Sequence, residues 1–379
     1  MKQAVRIGLL AAAALLVLAV AGAVFLFRDE VGILLSLQRL SGGVYTLRVE
    51  GDYHFEEFLS SGGASSDQEV SAFLTEKISK GFYSVPVEEQ GRGCSTLSAV
   101  TPEGGHIWGR NYDWTSSVPM IVLCEPKEGY ASISTCDFQN ITGDPSVLPE
   151  GINQMLAIAA LYVPLDGVNE AGLCVADLEV NEGGMPDPDT EKPDLTVTTA
   201  IRLLLNRAAT VEEAVALLEQ YDIHPSGGIS HHLAISDASG NSVAVEFTED
   251  GLAVIPTPVV TNFNLANGDP SAGGRSAQER YDALMEAAVP FGWIDEEGML
   301  TVLDLVSQPL KPSMRDGAAQ AGDELVPVSQ TEEQYTTQWS IVYDQDSGRL
   351  NYFFGGIELD DMDSKWFPDC VFLFDEVFS

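Results

Sequence analysis

Basic residues are scarce in this chain. Nineteen Lys and Arg stand against 57 Asp and Glu, a formal net charge of −38 over 379 residues. Phosphate binding requires neutralisation by Lys and Arg, so the balance disfavours nucleic acid and anionic membrane surfaces as partners, and the charge reads as a solvated surface. Histidine is rare too, at five residues. No C-x-x-C and no Cys/His cluster occurs, so no zinc site is expected. The glycine pairs at 183–184, 227–228 and 273–274 are isolated turns, with no G-x-G-x-x-G or G-K-[ST] pattern to cradle a nucleotide, so no cofactor is implied. The five cysteines fall at 94, 124, 136, 174 and 370. With Cys94 set aside, four buried free thiols are the favoured reading; Cys124 and Cys136 flank an expected hairpin, and a disulfide between them is the alternative.

Apolar content is 45%, ample for a core, and the length suits one large or two modest domains. Lys2 and Arg6 precede an uncharged apolar stretch of 21 residues, Ile7 to Phe27, closed by Arg28, Asp29 and Glu30. This is long enough to cross a bilayer, and the charges before it predict an N-in, C-out signal anchor over residues 7–27. Ala19-Val20-Ala21 offers a signal-peptidase site as the alternative. Either reading places the globular part outside the cytoplasm, as a membrane-anchored or a secreted protein. The expected division is an anchor over 1–30, a pro-segment and spacer over 31–93, and a catalytic domain over 94–379. Within the spacer, Val70, Phe73, Leu74 and Ile78 form an apolar stripe that predicts a helix over Asp67–Lys80.

Beyond residue 93, β-rich runs are expected at 94–100, 106–110, 119–124, 130–134, 173–180, 231–237, 242–247, 252–255, 258–261, 338–344 and 349–354. Helices are expected over 198–208, 211–221, 276–288 and 299–306, with Thr210 and Glu213 forming a capping box for the second. Strands in two blocks with helices grouped between them point to layered α+β rather than a doubly wound sheet.

The most informative local pattern begins at Cys94. The run Leu97 to Val100 leads into a Pro-Glu-Gly-Gly turn at 102–105, and His106 to Trp108 returns as a second strand. Such a hairpin brings Cys94 beside the stretch Arg110-Asn111-Tyr112-Asp113. A thiolate needs nearby positive charge at neutral pH, since a free cysteine titrates near ~8.5, and Arg110 is permanently charged. Asp113 is then placed to orient a base. Gly91-Arg92-Gly93 gives a glycine-flanked approach to Cys94, suited to the strained backbone that attack on the preceding carbonyl needs; a plain flexible linker is the alternative.

This arrangement resembles the N-terminal-nucleophile hydrolases of the choloylglycine hydrolase, penicillin V acylase and acid ceramidase superfamily. Arg110 and Asp113 stand at the family's offsets from its cysteine. Further matches are Asp166-Gly167-Val168-Asn169-Glu170-Ala171-Gly172-Leu173, similar to the family's G-x-N-E-x-G-L segment, and Val259-Val260-Thr261-Asn262-Phe263, similar to its T-N segment. Between them, Ser236-Asp237-Ala238-Ser239-Gly240-Asn241 and the following Glu246 resemble a family hairpin. The resemblance implies a four-layer αββα sandwich and self-cleavage before Cys94. The freed α-amine would then be the general base, and a thioester acyl-enzyme would form on Cys94. It further implies that Arg110 favours the thiolate, Asp113 holds the amine or thiol, and the Asn262 amide helps to form the oxyanion hole. The implied substrate is a small linear N-acyl amide. An acyltransferase using the same thioester, and a non-catalytic binding protein that keeps the fold, are the rival readings.

Two positions differ from the bile-salt-hydrolase pattern. Glu179 stands where those enzymes place a second catalytic asparagine, as in the acid ceramidase branch, with Asn181 as fallback. The late site arginine is Arg280, in a segment similar to the S-x-x-x-R-[FY] helix start, or Arg275. His231 and His232 raise a papain-like alternative, but they begin an alternating strand and read as structural.

Overall fold

The computed structural model describes residues 2–40, 43–82, 84–87, 93–180, 184–266, 274–288, 292–308, 335–355 and 369–378. Two sheets dominate it. The larger has nine strands in the order Gln38–Arg39, Tyr45–Glu50, Pro119–Glu125, Ser132–Asp137, Asp166–Asn169, Cys174–Val180, Ser230–Ser236, Ser242–Thr248, Gly251–Pro256. The smaller has six, in the order Val259–Val260, Gly93–Val100, His106–Trp114, Thr336–Asp344, Arg349–Phe354, Cys370–Leu373. Nearly every pairing is antiparallel; the exception in these two sheets is Tyr45–Glu50 beside Pro119–Glu125.

Three apolar clusters fix the layering. One side of the large sheet packs on the helices Asp67–Ser79, Val197–Arg207 and Val211–Leu218 and the 3-10 segment Gly151–Leu161, through Leu74, Ile201, Leu204 and Ala214 against Val122, Val175 and Leu233. A second cluster, with Ile121, Ile133, Ala176 and Ala234 from the large sheet and Trp108, Tyr112, Trp339 and Ile341 from the small one, lies between the sheets. The third joins the small sheet to the helices Gly274–Ala288 and Glu296–Leu305 through Leu97, Ile107, Leu284 and Leu303. The order is helix, sheet, sheet, helix, as expected. Strands buried on both faces read as continuous apolar runs, which is why Met120 to Val122 shows no alternation.

Local signals carried most elements. Ser66 caps Asp67–Ser79 by accepting from the Glu69 N–H, and Thr210 caps Val211–Leu218 by accepting from that of Glu213. In the Asn169-Glu170-Ala171-Gly172-Leu173 segment, Asn169 Oδ1 accepts from the N–H groups of Ala171 and Leu173 while its Nδ2 donates to the carbonyls of Leu205 and Ala208. Gly172 takes φ +86° there, with Ala238 so close that a Cβ would meet it at 2.8 Å. The motif is thus a joint between a strand and the end of a helix.

The segment 31–93 requires a revision of the expected spacer. Tyr45–Glu50 is a strand of the large sheet, and Leu47, Val49, Phe55, Phe58, Leu74 and Ile78 are fully buried in its core. Residues 91 and 92, on which the glycine-flanked approach rests, and Asn181 lie outside the described residues. The cysteines are free, as the favoured reading had it, and Cys124 and Cys136 are not bridged. The antiparallel register sets Cys124 opposite Ser132 and Cys136 opposite Met120, which separates the two along the ladder. Lys2–Leu26 is helical, with Leu9, Leu10, Leu15, Leu16 and Phe25 exposed. Among the described residues no helix is long and apolar enough to cross a membrane, and the anchor over 7–27 is not supported by them.

Candidate active site

Cys94 is the second residue of its strand and is fully buried. The hairpin forms as expected, but its return strand runs on to Trp114, past the expected end at 110. Its register sets Gly93 opposite Asp113, Cys94 opposite Tyr112 and Thr96 opposite Arg110. Gly93 has no side chain to keep Asp113 away: a Cβ there would meet the Asp113 Cβ at 3.3 Å.

Three functional atoms of Cys94 are each held by a different side chain. Arg110 Nη2 donates to the sulfur at 3.4 Å. The Cys94 backbone N–H donates to Asn262 Oδ1 at 2.8 Å. Arg280 Nη1 donates to the Cys94 carbonyl, and Arg280 Nη2 donates to Asn262 Oδ1 at 2.7 Å. Arg280 projects from the helix Gly274–Ala288 and also lies 3.6 Å from Asp113 Oδ2. Of the two candidate arginines, Arg280 is placed at the Cys94 centre; the Arg275 side chain lies outside the described residues.

Asp113 Oδ1 accepts from Thr337 Oγ1 at 2.6 Å. Burial raises the Asp113 carboxyl above its ordinary range, and Arg280, Thr337 and Arg110 act against that rise. Burial likewise lowers the Arg280 guanidinium pKa, opposed by Asp113 and Cys94. The Arg110 guanidinium is itself fixed: Nη1 donates to the Leu165 carbonyl at 3.1 Å, and Nε lies 3.0 Å from Asp166 Oδ2.

Asn262 lies beside Cys94, held at both its oxygen and its nitrogen. Its Oδ1 accepts from Cys94 and Arg280, and its Nδ2 donates to the Glu179 carbonyl at 2.9 Å. One N–H of the amide is thus taken by Glu179, while the oxygen holds the Cys94 nitrogen. Glu179 reaches the site through its main chain, and its residue borders a cavity of about 340 Å³ lined also by Val180, Met185, Pro225, Ile229 and Ser230. The loop after Asn262 is pinned by Glu246, whose carboxylate accepts from the N–H groups of Leu265 and Ala266.

The two histidines are engaged elsewhere. His231 bridges Asp177 Oδ1 at 2.8 Å and the Ser226 carbonyl at 2.9 Å. His232 Nε2 meets the Thr261 carbonyl at 2.8 Å. Sequence reasoning did not single out Asp166, Thr337 or Trp339. Asp166 was legible in principle, since a buried Arg110 demands a counter-charge; the other two lie on a strand more than 200 residues from the hairpin, and nothing local marks them.

With this geometry in place, comparison with known proteins gives a direct result. Residues 94–264 match the linear amide C–N hydrolases, choloylglycine hydrolase family. The resemblance read from the sequence holds over that segment. The match begins at Cys94 and ends just past Asn262, spanning Arg110, Asp113, Asp166 and Glu179. A penicillin V acylase of Pectobacterium atrosepticum is 36% identical over 163 residues, 39% of this chain and 42% of that protein. The chain therefore matches about two fifths of the length of this curated relative. Among solved structures, penicillin V acylase from Agrobacterium tumefaciens is similar at 19% identity and a TM-score of 0.48, over 69% of this chain and 83% of the other. The R18L variant of conjugated bile acid hydrolase from Clostridium perfringens is similar at 17% identity and a TM-score of 0.49, over 75% and 93%.

Proposed function

We propose that this protein is a cysteine-dependent hydrolase of linear, non-peptide amides that activates itself by cleavage between Gly93 and Cys94. The observation that carries the reading is the convergence on one residue: the sulfur, nitrogen and carbonyl of Cys94 are held by Arg110, Asn262 and Arg280. A structural core cysteine has no need of two buried guanidinium groups.

After cleavage the Cys94 nitrogen is an α-amine with a reference pKa near ~8, able to take the thiol proton and return it to the leaving amine. The sulfur attacks the amide carbonyl, the amine departs, and water hydrolyses the resulting thioester. Asn262 Oδ1, already 2.8 Å from that nitrogen, holds the amine toward the sulfur. Arg110 stabilises the thiolate, and Arg280 orders Asn262, Asp113 and the Cys94 carbonyl together. Asp113, opposite Gly93 in the register, faces the bond to be cut. Glu179 is proposed to meet substrate at the neighbouring cavity. The protein is further proposed to act outside the cytoplasm, anchored through residues 7–27 or released near Ala21.

Intact-mass analysis and N-terminal sequencing of active enzyme test the reading. The expected mature chain begins at Cys94, and Cys94→Ala abolishes both cleavage and turnover; full activity from an uncleaved chain overturns it. A screen of penicillin V, N-acyl amino acids, N-acylethanolamines and conjugated bile acids then assigns the acyl group. Acyl transfer to an added amine in place of hydrolysis would favour the acyltransferase reading.

A further inference from the structure

The Arg110 guanidinium is fully buried, and its aim at the Cys94 sulfur has to be set by whatever holds its other nitrogens. Nη1 donates to the Leu165 carbonyl, and Nε lies 3.0 Å from Asp166 Oδ2 as an ion pair without hydrogen-bond alignment, so two consecutive residues at the start of the strand Asp166–Asn169 face the group from the large sheet. Asp166 is fully buried as well. Its Oδ2 accepts from Trp339 Nε1 at 3.1 Å, and the Trp339 ring stacks on Tyr112 at 3.7 Å, the residue opposite Cys94 in the hairpin. The carboxylate thus links the large sheet, the small sheet and the guanidinium beside the sulfur.

We infer that Asp166 is a positioning residue for the Cys94 chemistry, aiming the Arg110 guanidinium at the sulfur across the interface between the two sheets. The inference rests on the proposed nucleophilic role of Cys94. Two properties follow from the geometry. A cation buried between sheets needs a compensating charge to stay there, and Asp166 supplies it. A guanidinium is a rigid planar fork, so the hydrogen bond at Nη1 and the Asp166 charge beside Nε together set the direction of Nη2. The other charged groups around Cys94 are accounted for separately: Arg280 contacts its carbonyl and Asp113 lies opposite Gly93, while Glu179 approaches through its carbonyl.

The test uses the mature full-length protein and follows alkylation of the Cys94 peptide by iodoacetamide against pH, together with kcat and KM. In Asp166→Asn the shape is kept and the charge removed. The midpoint of alkylation is expected to move up by about one pH unit. A fall in kcat approaching a hundredfold, the scale of a misplaced catalytic group, is expected with KM within about threefold. Asp166→Glu, which restores the charge, should recover part of the midpoint shift. Should Asp166→Asn fail to fold, Trp339→Phe removes the hydrogen-bond donor to the same oxygen while keeping the ring, and a smaller upward shift is expected. An unchanged or lowered midpoint in the folded variant overturns the inference. Retained turnover in Cys94→Ala would instead strike the nucleophile reading itself, and the alkylation profile would still report on Asp166.

Discussion

At the scale of single residues, what distinguishes the Cys94 centre is charge held away from water. Asp113 gives a test with a defined sign. Burial raises its carboxyl, so the folded protein keeps that proton to a higher pH than the unfolded chain, whose Asp titrates near ~3.9. Wild-type stability relative to Asp113→Asn should therefore decline as pH rises through the window above that value. Denaturant midpoints of both proteins across the acid to neutral range measure it. A wild type that gains on the variant with rising pH would mean that Arg280 outweighs burial. The residues of this centre were legible to different degrees. Cys94, Arg110 and Asp113 share a hairpin whose turn and strands are written locally. Asn262 and Arg280 are brought to it from 168 and 186 residues away, and only their order in a familiar pattern marked them. What Asn262 does there was not legible at all, because an amide offers a donor and an acceptor and only its neighbours decide which end faces the cysteine.

At the scale of elements, the segment before Cys94 behaves as part of the folded body. Six register pairs join Tyr45–Glu50 to Pro119–Glu125, and Leu47, Val49, Phe55, Phe58, Leu74 and Ile78 are removed from water in the shared core. Burial of such side chains stabilises by about 1.5–3 kcal/mol each, roughly 9–18 kcal/mol for the six against roughly 4–15 kcal/mol of freedom gained by releasing a cut segment, and the strand pairing adds to the holding side. If cleavage occurs at Gly93–Cys94, the amino-terminal piece should remain bound. Native mass spectrometry or gel filtration should then give one species that separates into two on denaturation. Recovery of a lone active chain starting at Cys94 would refute this. The sequence hid the strand because an amphipathic helix and a Ser/Gly loop follow it closely, and its hairpin partner Gln38–Arg39 is only two residues long, which leaves a weak local signature for a pairing whose longer side is remote. Its partner lies parallel and some 70 residues on, a pairing that needs a crossover connection and that the intervening chain does not announce.

For the whole molecule, the charge of −38 sets a term that no single contact carries. Acidic self-repulsion opposes the compact state, so the unfolding temperature should rise as salt is raised from about 0.01 to 0.3 M, where the screening length falls from ~30 Å to below 10 Å. Thermal scans over that series check it, and a flat or falling response would show that specific ion pairs matter more than the overall field. The alternation of apolar runs, the turns and the caps determined most strands and helices and their α+β class from the sequence alone, because those signals act within a few residues. The turn at 102–105 and the apolar runs on either side determined the hairpin for the same reason. The tertiary structure decided that residues 45–50 complete the large sheet, that Arg280 meets the Cys94 carbonyl, and that Asp166 holds Arg110 across two sheets. Those choices depend on which faces meet when the layers stack, and burial and charge compensation between distant segments are properties of that stacking.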